Sequence, residues 1–74
     1  MSETTRKQLN YVVACIHAFA QKNRMNQRDA YLYLNKYQGL SFLTDCYEAE
    51  HTLSIEDALD DLETVCKRNG GGLS

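Results

Sequence analysis

Proline and tryptophan are absent from this chain, and three of its four glycines fall within the last five residues. With no proline and only Gly39 inside the body of the sequence, almost nothing breaks a helix along it. Strand signals are few and short, so the expected class is all-α. Cysteine is sparse and odd in number: Cys15, Cys46 and Cys66 are far apart, which excludes a disulfide framework. Positive charge is sparse too. The formal net charge is −2, with Arg24 and Arg28 around one turn and Lys67 and Arg68 near the end. That distribution supplies no basic stripe, so it argues against nucleic-acid binding. Long apolar runs are also missing. The opening "MSETTRKQLN" is polar and reads as no signal peptide, and the following "YVVACIHAFA" is too short to span a bilayer. The expectation is a cytoplasmic protein with no membrane segment, whose reduced thiols behave as small core hydrophobes.

At 74 residues the chain is read as one domain over 1–74, with a core over about 5–69 and a flexible tail over 70–74. A domain of this size buries only roughly 60% of the surface its unfolded chain exposes, so each packing contact counts.

The apolar spacing predicts four helices, with the first at the centre. The first covers residues 5–23. Leu9, Val12, Val13, Ile16, Phe19 and Ala20 make one stripe at helical spacing, and Tyr11, Ala14, Cys15 and Ala18 make a second. Two apolar sides imply burial on both, either inside the domain or across a homodimer through Tyr11, Ala14, Cys15 and Ala18. The second helix covers 27–37, with Asn26 as N-cap, a core stripe of Ala30, Tyr33, Leu34 and Tyr37, and Gly39 closing it at a left-handed position. The third covers 41–49, with Phe42, Leu43, Cys46 and Tyr47 on its apolar face. The fourth covers 55–69. Ser54 is its N-cap, Ile55, Ala58, Leu59, Leu62, Val65 and Cys66 face inward, and Gly70 is its C-cap. Its outer face carries Glu56, Asp57, Asp60, Asp61 and Glu63, where acids suit the positive end of the helix dipole.

The reactive residue types were weighed as sites. Cys15, His17, Cys46, His51 and Cys66 include no pair at C-x-x-C spacing, and Cys15 and His17 face different ways on a helix, so no metal site and no cofactor is expected. Cys46 and His51 lie either side of a helix end, with Cys46 on an apolar face and no oxyanion-type loop after it, so no catalytic residue is assigned. A helix-turn-helix reading of the second and third helices places "SFLTDCYEAE" at the DNA, where Asp45, Glu48 and Glu50 oppose phosphate. Five tyrosines stand out as contact residues. Tyr33 and Tyr37 fit the core, whereas Tyr31 and Leu32 lie off the core stripe and are better placed for a partner.

The stretch "YLNKYQGLSFLTDCYEAEHTLSIEDALDDL" resembles a catalogued bacterial domain-of-unknown-function family of small helical proteins. The resemblance rests on Tyr37 and Gly39 at a turn, Phe42–Leu43, Tyr47–Glu48, the box His51, Thr52 and Ser54, and the pair Asp60–Asp61. It extends from Leu9 to about Arg68, with Gln38 standing where a second small residue is common. It implies a helical fold. It also implies a neighbour, because such proteins are often encoded beside one resembling an ADP-ribosyltransferase toxin. Physical reasoning gives the box a structural role: Ser54 caps, Thr52 bonds local backbone, and His51 donates to the last carbonyls of the preceding helix, with Glu48 able to pair with it.

The resulting expectation is a non-enzymatic protein-interaction module, an antitoxin-like partner of a co-encoded bacterial protein. Its candidate contacts are Tyr31, Leu32, Tyr47, Glu48, His51, Asp60 and Asp61. The alternative is a small helix-turn-helix-like regulatory DNA binder.

Overall fold

A computed structural model describes residues 3–71, with side chains over 5–71. The described residues form five helices and no strand: α1 (Glu3–Lys22), α2 (Gln27–Lys36), α3 (Gly39–Asp45), α4 (Tyr47–Glu50) and α5 (Ile55–Arg68). The count differs from the expected four because the helix read over 41–49 is broken. Cys46 leaves helical geometry at φ −106°, ψ 20°. Just before it, the Thr44 hydroxyl donates to the carbonyls of Leu40 and Ser41, at 3.3 and 3.0 Å. Threonine back-bonding of this kind bends a helix. The chain restarts as α4 when Glu50 N–H donates to Cys46 O at 2.8 Å.

α1 packs against α2, α3 and α5, while the short α3 touches each of the other four helices, so the centre is shared between them. The core combines Cys15, Phe19 and Ala20 of α1, Ala30 and Leu34 of α2, Leu43 of α3, and Leu59, Leu62 and Cys66 of α5. Tyr33 and Tyr37 pack against it as expected, with Tyr33 stacked on Phe19 at 5.6 Å and tilted against Tyr37 at 4.9 Å.

The facing of α1 departs from the sequence reading. Cys15, from the stripe read as secondary, is fully buried, whereas Leu9 and Val13 of the main stripe are 50% and 52% exposed. Both stripes were apolar, and small Cys15, not branched Val13, fits where α1 meets its neighbours. Tyr11 and Ala18 also pack against the core, while Ala14 is exposed, so the four residues considered for a homodimer do not share one surface. Ile55 is likewise 39% exposed, because at the first position of α5 it projects beyond the contacts that seal Ala58 and Leu59.

The helix ends follow the expected chemistry with one exchange. Asp29 N–H donates to Asn26 Oδ1 at 2.7 Å and Asp57 N–H to Ser54 Oγ at 3.2 Å, which makes both residues side-chain N-caps. Gly70 closes α5 at φ +96°. There Gly71 N–H donates to Cys66 O and Gly70 N–H to Lys67 O, the paired bonds of a Schellman closure. Gly71 is pressed against Tyr37 and Tyr33, where a Cβ would lie 2.8 Å from the Tyr37 ring. The start of the expected tail is therefore fastened to α2; residues 72–74 lie outside the described residues. Gly39 is not the left-handed residue. Gln38 takes that conformation at φ 68°, and Gly39 begins α3. Glycine is needed there for space: a Cβ would sit 2.9 Å from Leu34 Cδ2, 3.1 Å from Leu62 Cδ1 and 3.3 Å from Cys66 Sγ.

No described helix is long and apolar enough to cross a membrane.

Candidate functional site

Beyond the bend at Cys46, Glu50 faces inward. Glu50 is the buried residue of α4, at 6% exposure, and it is the one charged residue type found buried among the described residues. Its Oε1 is sealed from solvent and has no hydrogen-bond partner. Burial, then a hydrogen bond to the Asp61 carboxyl, then the charge of Asp61 push the Glu50 carboxyl up to about 7. Near neutral pH the Glu50 carboxyl therefore still holds its proton in part.

The surroundings of this pair are neutral on the α1 side. The Tyr11 hydroxyl is sealed and without a hydrogen-bond partner, and burial raises it further from ionisation. Burial likewise raises the Cys15 thiol, helped by the charge of Glu50 but opposed by Tyr11. Tyr11 also meets Tyr47 edge-on at 5.5 Å, so α1 and α4 are joined by aromatic contact above a buried acid.

The His–Thr–x–Ser box sits directly after this helix. His51 stacks on Tyr47 at 4.5 Å, the rings nearly parallel at 10°, and its Nδ1 lies 2.7 Å from Tyr47 O. Thr52 Oγ1 donates to Ala49 O at 2.7 Å. The expected clasp at the helix end is present, but its side-chain partner is Tyr47; among the described residues the ion pairs do not include Glu48 with His51.

The proposed contact residues separate into groups. Tyr31 and Leu32 are exposed on α2, at 47% and 51%. Glu48 and His51 are exposed on and just after α4, and Tyr47 is half-buried. Asp60 leaves the acidic face to pair with Lys22 at 3.3 Å, and Glu63 joins it at 3.2 Å, tying α5 to α1. Asp61 alone is drawn towards Glu50. Sequence reading missed Glu50 as a site residue. Its available signal was position: it falls near the apolar column of the third helix, three residues after Tyr47, where an unpaired acid needs a reason.

Chemically, this arrangement can hold a proton or accept a cation. Cys46 lines the same groove, but the imidazole that could activate it is committed to Tyr47. No group of three or more metal-ligating acids, cysteines or histidines occurs among the described residues.

No curated protein and no solved structure matches the chain. A family model described as "Protein of unknown function (DUF3791)" matches residues 10–69, which take in α4, the box and all of α5. The chain therefore belongs to the DUF3791 family.

Proposed function

We propose that this chain is a non-enzymatic protein-interaction module. The observation that carries the reading is the amount of large apolar surface left open by so small a core. Leu9, Val13, Tyr31, Leu32, Leu53 and Ile55 are each between 38% and 52% exposed. Single exposed hydrophobics are ordinary, but paired ones on two helices supply the anchors that an interface core uses. Tyr31 and Leu32 are adjacent on the outer side of α2, and Leu9 and Val13 are one turn apart on α1.

The partner in this reading is a protein encoded beside the chain, resembling an ADP-ribosyltransferase toxin, with the chain acting in an antitoxin-like way. What supports it is the family resemblance together with an acidic α5 surface facing out beside apolar area. Asp61, Glu56 and Asp57 remain exposed, and charge of one sign there would speed encounter with a basic surface.

Co-purification with the product of the adjacent gene tests the proposal. Retention by the wild type, weakened by Leu32→Asp or by Asp60→Asn with Asp61→Asn, is the expected result. No association at micromolar concentration between two folded proteins would remove it.

A further inference from the structure

A groove of about 360 Å³ runs between α4 and α5. Phe42, Ala49 and Val65 give it apolar wall, and Glu50 and Asp61 give it acid. The acid is costly there. α4 buries no hydrophobe; the residue it buries is Glu50, with an unpartnered Oε1. An amide of the same shape would spare the fold an unpaired carboxylate, and removing a buried charge in favour of a neutral group is commonly stabilising. A charge kept where it weakens the fold is characteristic of a binding site. The protein's own cations do not answer it. Lys22 is engaged with Asp60 and Glu63, and Arg68, on the rim of the groove, forms no ion pair among the described residues.

We propose that this groove receives an arginine side chain of a protein partner, its guanidinium seated between Glu50 and Asp61. The proposal rests on the interaction-module reading and names its anchor. Charge complementarity selects a cation, since two carboxyls line the one groove. Arginine rather than lysine follows from shape and hydration. Its planar fork can donate to both carboxyls at once, its face can lie against Phe42, and it is more weakly hydrated than an ammonium on entering a half-dry cleft. The groups facing Glu50 are Tyr11 and Cys15 from α1, Tyr47 within α4, and Asp61 and Arg68 from α5. Tyr11 and Cys15 stay neutral near pH 7, so the proton on the Glu50 carboxyl is the one a seated guanidinium displaces. Docking then releases the Glu50 proton to solvent and leaves that carboxyl ionised.

The probe is n-butylguanidinium chloride, added at constant ionic strength to isotope-labelled protein at pH 7. The expected result is saturable movement of the Ala49, Glu50, Asp61 and Val65 amides, and a fall of about one pH unit in the Glu50 carboxyl ¹³C midpoint. Butylammonium should bind more weakly, n-butanol should leave the carboxyl signals in place, and Glu50→Gln and Asp61→Asn should each weaken butylguanidinium by more than about tenfold. Equal binding by both variants and the wild type, or equal movement at exposed Glu56 and Asp57, overturns the groove as the site. The second arm repeats the co-purification with Glu50→Gln, expected to be retained more than about tenfold less well than the wild type. Equal retention of this variant overturns the arginine anchor and leaves the interaction module standing. Failure of the wild type to retain the partner overturns both.

Discussion

Replacing Glu50 by glutamine should make the protein more stable above neutral pH and leave it nearly unchanged in acid. The sign follows from where the proton resides. In the unfolded chain this carboxyl has an ordinary value of 4.5, whereas burial and Asp61 push it up to about 7 in the folded chain. Between those values the folded state holds a proton that the unfolded state has released. The contribution to stability is fully present below 4.5 and is lost as pH rises through about 7. Each pH unit between the two values corresponds to about 1.36 kcal/mol, so the whole loss is on the order of 3 kcal/mol. For a chain of this length the total is roughly 4–11 kcal/mol, so the effect is large. Glutamine matches the shape of protonated glutamic acid, carries no charge at any pH, and its amide can donate to the Asp61 carboxylate.

Urea unfolding at pH 5 and pH 8.5 measures this directly, with the slope checked to be constant. The expected difference between Glu50→Gln and wild type is under about 1 kcal/mol at pH 5 and about 2–3 kcal/mol in favour of the variant at pH 8.5. Asp61→Asn should reproduce part of the pH dependence, because it removes the like charge but not the burial, which is the larger cause. A stability gap independent of pH, or a variant less stable than wild type at pH 8.5, would refute the reasoning.

Three further outcomes follow from the helix ends and the core. Gln38→Gly should stabilise by about 0.5–1 kcal/mol, since a left-handed non-glycine residue costs more than glycine loses in unfolded-chain entropy, and thermal unfolding would show it. Gly39→Ala, one residue later, should destabilise by about 1–3 kcal/mol in the same assay, because its methyl group must displace Leu34, Leu62 and Cys66. With a thiol reagent under native conditions, half-buried Cys46 should be labelled well before Cys15 and Cys66, which are fully buried and whose thiols burial pushes up; equal labelling of all three would contradict the core.

The neighbouring positions Gln38 and Gly39 show what the sequence could and could not disclose. A glycine after a helix of tyrosines and leucines is a sound sign of a turn, and the turn is there. Which of the two residues turns left is settled by space that only the assembled core defines. The Leu34, Leu62 and Cys66 side chains come from two helices far apart in the chain, and together they leave room for a hydrogen atom at position 39. Caps were legible at Asn26, Ser54 and Gly70 because their hydrogen bonds lie within a few residues. The facing of α1 was not, because two competing apolar stripes present a choice that local periodicity cannot make.

The acid pair illustrates the same division at the candidate site. The two residues are 11 positions apart in sequence, Asp61 on a helix face read as acidic and outward, Glu50 just past the end of the helix read over 41–49. Asp61 was singled out for its place beside Asp60, and Glu50 only as a charge opposing DNA. They meet in the groove between α4 and α5, where Glu50 faces inward while Glu48 stays in solvent. The burial of Glu50 sets both the pH dependence of folding and the chemistry of the groove.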